Sequence, residues 1–439
     1  MSKRFGVLAF LSLATLYLIL NRNAYRGYFS DDEFNTLSWI SYAPGIEYLN
    51  ATLSPRFQPN NFRPVGHYWF HLSEAAFGLN FWKYVAVLHA LHLLNVWFLW
   101  LLLRRLGVRT IPAATGCAFF ALHMALFETL WKPMYVFDLL CATFCLLSLL
   151  AWATDRWILS FVSFWLAYKA KELAVMLPAV LLFYELWFGR RLWKQLIPFF
   201  AASLSFGIQG LMFNPNKDNA YAFRFTLIDF WRTLRHYAGR IFLVNYIGLI
   251  APFAAIWAPN RRTWFGLSLM GLMFVPLLLL PGRVSGAYCY APFLGLAIAL
   301  AGVLEEVYTT RTVLVAALFF LIWIPIDLRS LHVQSVATLR KDADVREWVA
   351  NVQAFARSNP HVDRFVFAGA PKGFAGWGVD GALKYVYGRL DLTIRAIEQP
   401  DAAELLRSGN TALLAWNQAT RRLEISIKPA VSPTASPIE

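Results

Sequence analysis

Apolar runs close to the length that crosses a bilayer recur through the first three quarters of the chain. Such runs leave little choice of structure, because in lipid every backbone N–H and C=O must be bonded within the segment, which selects helices. Eleven spans can be drawn, beginning near Phe5, Tyr84, Ile111, Met134, Trp157, Leu173, Leu196, Ile241, Trp264, Tyr288 and Val313. The fifth and sixth are short and form a pair around "YKAKELAV". The first run, "MSKRFGVLAFLSLATLYLIL", has the layout of a signal peptide, but no small-x-small cleavage site follows it, so it reads as an uncleaved span. Of 439 residues, 58% are hydrophobic and 15% charged. Soluble domains carry about 25% charged residues, so the balance agrees with a membrane protein.

The formal charge of +14 does not imply a nucleic-acid partner, since no basic domain or binding motif is present. The basic residues instead sit in short clusters between spans. "MSKR", "LLLRRLGVR", "FGRRLWK" and "APNRRT" all fall on one side if the spans alternate, and that side is expected to be cytoplasmic. Arg22 and Arg26 lie on the other side and mix the local signal. The expectation is a plasma (inner) membrane protein with a cytoplasmic N-terminus.

The expected organisation is a helical membrane domain over residues 1–328 with a long first outer loop at 21–83. A small α/β extracytoplasmic domain at 329–428 and a disordered Pro/Ser-rich tail at 429–439 follow. "DDEFNTLSWISYA" and "RPVGHYWFHLSEAAF" in the outer loop have the composition of helices lying along the membrane interface. A second outer loop is "NPNKDNAYAFRFTLIDFWRTLRHY". In the C-terminal part, "LRKDADVREWVANVQAFARSN" and "GALKYVYGR" read as helices, and "VDRFVFAGA", "LTIRAI", "TALLAW" and "RLEISI" as strands. The four cysteines, Cys117, Cys141, Cys145 and Cys289, lie in apolar segments and read as small packing residues; no zinc-ligand spacing occurs.

The chemistry-bearing residues cluster at the outer side. Ser30-Asp31-Asp32-Glu33 has the form of a capping box, with Ser30 as N-cap and Glu33 reaching back. Capping accounts for Ser30 and Glu33 but does not need both aspartates. A carboxylate fixed at a helix N-terminus and open to water suits a general base. The three acids are also compatible with a divalent cation, though no second ligand group accompanies them. Lys132, Asp138, Lys169, Lys171, Glu172, Arg224, Arg235, His236, Arg240 and Arg283 lie on or near outer span ends, and Arg63 and His67 in the outer loop. Snorkelling explains single cations; a set of them near one bilayer face suits an anionic lipid head group. Lys171-Glu172 interrupts apolar sequence and is the least easily explained by snorkelling.

The acidic pair after span one is followed by "NFRPVGHYWFHLSEAAFGLNFWKYVAVLHALHLLNVWFLWLLLRRLG", then "KELAVMLPAVLLFYELWFGRR", then "GRVSGAYCYAPFLGLAIAL". In this combination, over roughly Phe5 to Leu328, the chain resembles the GT-C glycosyltransferases that use polyprenyl-phosphate sugars, in particular the protein-mannosyltransferase-like branch of bacterial membrane proteins. The resemblance implies an α-helical polytopic membrane fold and transfer on the outer face, with inversion at the sugar. It implies Asp31 or Asp32 as catalytic base, and Arg63, Lys171 and Arg283 as ligands of the donor phosphate. His67, Glu172, Tyr288, His236 and Arg240 are further candidate substrate contacts. The partners implied are a polyprenyl-phosphate sugar donor, a lipid, glycan or protein acceptor, and the bilayer; the resemblance leaves a divalent cation open.

The chemistry fits these residue types. A sugar leaving a lipid phosphate expels an anion that needs cations more than a proton donor, while the acceptor hydroxyl needs a base. No nucleotide-phosphate glycine loop occurs. Two other classes use some of the same residues: a flippase of lipid-linked saccharides, and a non-catalytic scaffold recruiting partners through the C-terminal domain.

Overall fold

The computed structural model describes residues 3–58, 62–189, 191–213, 222–307 and 310–428. The expected disordered tail at 429–439, residues 214–221 of the second outer loop, and Arg190 of one basic cluster lie outside them. The described residues are 74% helical, with one four-stranded sheet near the C-terminus. Six helices among the described residues are long and apolar enough to cross a membrane. They are Phe81–Arg105, Thr110–Trp131, Pro133–Ala153, Trp193–Phe213, Gly286–Glu306 and Ala316–Ser358. Gly6–Leu20, Trp157–Ala170 and Ile247–Trp257 are shorter and apolar.

The chain divides into two compact units. The first comprises Met1–Tyr25, Gly45–Trp69 and Trp82–Gln334. Its helices pack through small residues, as expected where lipid offers no hydrophobic drive and close van der Waals contact must supply it. The Arg261–Leu278 and Tyr290–Glu306 helices touch backbone to backbone at Gly266 and Gly295. A Cβ on Gly266 would lie 2.4 Å from Ala299 N, and one on Gly295 would lie 2.4 Å from Met270 N. The basic clusters terminate helices here. Phe81–Arg105 ends at Gly107, whose φ of 75° is open to glycine, and Arg262 donates to the carbonyls of Leu106 (2.9 Å) and Gly107 (3.0 Å). Arg109 donates to Glu305 at 2.7 Å.

The second unit comprises Arg26–Pro44, Phe70–Phe81 and Ser335–Glu439. The four expected strands form at Arg364–Ala368 (β1), Thr393–Ala396 (β2), Thr411–Asn417 (β3) and Arg422–Lys428 (β4). Their order is β2-β1-β3-β4, with β1 parallel to both neighbours and β3–β4 antiparallel. The expected amphipathic helix is the end of a continuous helix, Thr310–Ser358.

One expectation changes in this unit. The Asp31–Ile40 helix has the aromatic, weakly charged composition of an interfacial helix. Yet Glu33, Phe34, Thr36, Leu37, Ser38 and Ile40 are buried in protein. The Gly376–Tyr387 helix lies against it, with Gly378 and Gly381 at the contact: a Cβ on Gly381 would fall 2.6 Å from Asn35 N. The preceding turn is clamped as well. Tyr28 N donates to Asp342 at 2.9 Å, and Arg346 donates to the Gly27 carbonyl at 2.6 Å.

Candidate functional site

Within the first unit, "FRPVGH" folds on itself. Pro64 opens the Pro64–Phe77 helix, where its missing N–H costs nothing. Arg63 N donates to His67 Nδ1 at 2.9 Å. The His67 ring stacks on Phe62 at 5.2 Å and meets Phe137 edge-on at 4.9 Å. Gly66 is required for this approach, since a Cβ there would sit 2.0 Å from the Phe137 ring. Burial, then the charge of Arg63, push the His67 pKa down to about 3, so the imidazole is neutral and its Nδ1 accepts.

Arg63 Nε lies 3.0 Å from both oxygens of Glu172, with the guanidinium over Phe137 at 5.5 Å. Burial pulls the Arg63 pKa down, but the Glu172 carboxylate, helped by Asp138 and Tyr288, makes the net shift upward.

The "KE" interruption is a break between helices. Trp157–Ala170 ends at Lys171, which is extended (φ −160°, ψ 139°), and a short 3-10 turn at Glu172–Met176 leads into Leu177–Trp187. Lys171 Nζ is bonded to Asp138, and it lies 4.3 Å from the centre of the Tyr288 ring. Lys171 and Asp138 are both buried.

Arg63, His67, Lys171, Glu172 and Tyr288 are therefore brought together, with Asp138 and Phe137 added. Two cations face two carboxylates, so the cluster closes on itself electrostatically. The recess beside Arg63 and Glu172 has a volume of about 20 Å³, which is roughly the space of one water and far below that of a phosphate.

A larger opening lies along the Leu227–Ile241 helix. It has a volume of about 1170 Å³ and is lined by the apolar Leu227, Ile228, Trp231 and Leu243. Arg232, Arg235, His236 and Arg240 line the same opening. Arg232 is paired with Asp229 at 3.1 Å, and Arg235 donates to Tyr246 Oη at 3.0 Å. Among the described residues, Arg240 makes no side-chain hydrogen bond or ion pair, and His236 Nε2 is buried with no hydrogen-bond partner. Burial, then the charge of Arg240, hold the His236 pKa below its usual value.

Arg283 is half-buried in the turn that follows the Arg261–Leu278 helix; its N donates to the Leu280 carbonyl at 3.1 Å. Two residues on, Ser285 donates to Glu128 at 2.6 Å, and Gly286 passes close enough to Arg240 that a Cβ would lie 3.9 Å from Nη1.

The aspartate pair belongs to the second unit. The capping box is present: Ser30 N and Oγ donate to Glu33 Oε2 at 3.0 and 2.7 Å. Asp31 is half-buried and accepts from Ala375 N at 2.5 Å. Asp32 is exposed and accepts from Trp377 Nε1 at 3.2 Å. The three adjacent acids thus bond three different partners. Among the described residues, no group of three His, Cys, Asp or Glu side chains is arranged to hold a metal ion.

"HLLN" has a structural role. His92 Nδ1 lies 2.8 Å from Tyr290 Oη, and Asn95 donates to the same oxygen at 3.1 Å and to the Leu139 carbonyl at 3.2 Å. Sequence reasoning missed Ala375, Trp377 and Gly378. Their signal was "GWGVDG", three glycines two and three residues apart opening a helix.

These two units define a multi-pass membrane protein with a GT-C-like fold. The solved structures that share it include ArnT from Cupriavidus metallidurans bound to undecaprenyl phosphate. That structure covers 100% of both chains at a TM-score of 0.53 and 13% identity. The same protein in the apo state matches at a TM-score of 0.52 and 13% identity, over 94% of this chain and 93% of that one. No family profile matches the sequence, and no curated protein matches it.

Proposed function

We propose that this protein is an integral-membrane glycosyltransferase that moves a sugar from a polyprenyl-phosphate carrier to an acceptor outside the cytoplasm. The observation that carries the reading is the 1170 Å³ groove, lined by apolar residues together with Arg240 and with His236, whose Nε2 has no hydrogen-bond partner. That combination suits a ligand with a phosphate head and a hydrocarbon tail. A GT-C-like fold shared with an ArnT structure that holds undecaprenyl phosphate supports it.

In the reaction, the acceptor hydroxyl oxygen attacks the anomeric carbon while the bond from that carbon to the phosphate oxygen breaks. The polyprenyl phosphate leaves as an anion, stabilised by Arg240 and, across the same class of contacts, Arg283. The hydroxyl proton passes to the Asp31 or Asp32 carboxylate. Attack opposite the leaving group gives inversion. Arg63 and Lys171, each held by a carboxylate, are assigned to shaping the donor site.

The test uses membranes containing the full-length chain and radiolabelled undecaprenyl-phosphate hexoses and pentoses, with acceptors supplied by the membranes. Transfer that disappears in Arg240→Ala and in Asp31→Asn/Asp32→Asn supports the reading. Movement of label across proteoliposomes without bond cleavage overturns it in favour of a flippase.

A further inference from the structure

We propose that Ala375, Trp377 and Gly378, at the start of a helix in the C-terminal α/β domain, are positioning residues for the catalytic aspartate pair. The inference rests on the assignment of the base to Asp31 or Asp32.

The capping box fixes where the Asp31–Ile40 helix begins and uses neither aspartate side chain. Both aspartates receive donors from the start of the Gly376–Tyr387 helix. Asp31 Oδ1 receives Ala375 N–H at 2.5 Å, and Asp32 Oδ1 receives the Trp377 indole N–H at 3.2 Å. Ala375 is the N-cap residue of the Gly376–Tyr387 helix, in extended conformation with φ −77° and ψ 166°. Its N–H therefore lies outside the helical ladder and is available to a side chain.

The second donor sits two residues later, on a side chain 56% exposed. Burial within the domain does not explain a tryptophan there; a polar tip aimed at Asp32 does. Gly378 makes the approach possible. A Cβ at this position would lie 2.6 Å from Asp31 Oδ1 and 2.8 Å from Asp31 Cα, so any side chain pushes the aspartate away. One turn along, Gly381 lets the same helix lie against the Phe34 and Asn35 backbone at 2.6 Å from a would-be Cβ.

The consequence is a fixed carboxylate plane: Oδ1 of each aspartate takes a donor from the start of this helix, and the carboxylate so oriented serves as the base. A base held in one plane is in place before the substrate arrives, so loss of the donors lowers turnover rather than donor affinity.

The experiment measures kcat and donor KM for full-length Trp377→Phe and Gly378→Ala in membranes, using whichever labelled undecaprenyl-phosphate sugar the wild type transfers, with thermal unfolding measured in parallel. Trp377 is exposed, so its substitution leaves folding intact. The expected result is a kcat about three- to tenfold lower in Trp377→Phe and at least about tenfold lower in Gly378→Ala, at unchanged donor KM. If Gly378→Ala also unfolds early, Trp377→Phe decides alone. Retention of kcat within about twofold in Trp377→Phe, while Asp31→Asn/Asp32→Asn is inactive, overturns the positioning role and leaves the base standing. Full transfer by the double aspartate variant, or no transfer of any donor by the wild type, overturns the base assignment and this inference with it.

Discussion

Lys171 and Asp138 form an ion pair in which both side chains are buried, and the lysine ammonium also faces the ring of Tyr288. Removing one partner of such a pair leaves an uncompensated charge in a poorly solvated place. Lys171→Met should therefore cost on the order of 3 kcal/mol of stability, and Lys171→Met/Asp138→Asn distinctly less. Thermal unfolding in detergent of the single and double variants checks this. A double variant less stable than the single one would contradict it.

His67 gives a pH dependence. Its pKa is held at about 3 in the fold, below the ordinary value of 6.5, by burial and by Arg63. A base with a depressed pKa contributes stability that is full above pH 6.5 and is lost as pH falls towards 3. By pH 5 the loss from this group should be on the order of 2 kcal/mol. The unfolding temperature should fall on acidification from pH 7 to pH 5, with a shallower slope in His67→Gln.

Tyr290 serves two buried partners through one hydroxyl. Tyr290→Phe removes the oxygen that His92 and Asn95 share and leaves both without it. The expected cost is about 1–3 kcal/mol, with little effect on donor KM. Unfolding temperature and transfer kinetics measured together separate the two.

The local cap on the aspartate helix should be worth less than these. Ser30→Ala removes the hydroxyl contact to Glu33, at a cost of about 1 kcal/mol. Protease resistance of the second unit, followed by the appearance of fragments, reads this directly.

What was legible in the sequence follows interaction range. The capping box closes over three residues, and Glu33 takes the Ser30 N–H as that spacing requires. The apolar runs and the four strands are periodic patterns, and each meets a helix or strand in the structure. Pairings between distant segments were not legible. Lys171 and Glu172 are adjacent and of opposite charge, so they read as a pair. Successive residues point in different directions, however, and each takes a distant partner instead: Asp138 for Lys171 and Arg63 for Glu172. That exchange neutralises two of the three cations expected at the donor phosphate. Asp31 meets Ala375 across a separation of 344 residues. Only the glycine spacing of "GWGVDG" hinted at such an encounter.

The second unit is woven from three stretches of chain: Arg26–Pro44, Phe70–Phe81 and Ser335–Glu439. A ribosome making this protein delivers the aspartates early and their partners Ala375 and Trp377 late. Asp31 and Asp32 leave the ribosome long before Ala375, Trp377 and Gly378 exist, and the nascent chain holds an unfinished half of a domain while the intervening spans are inserted. The same weave defeats dissection, because a fragment starting at Ser335 carries the sheet but lacks the helix that covers Gly378 and Gly381. The chain therefore holds these partners of its acids only once translation has passed Gly378.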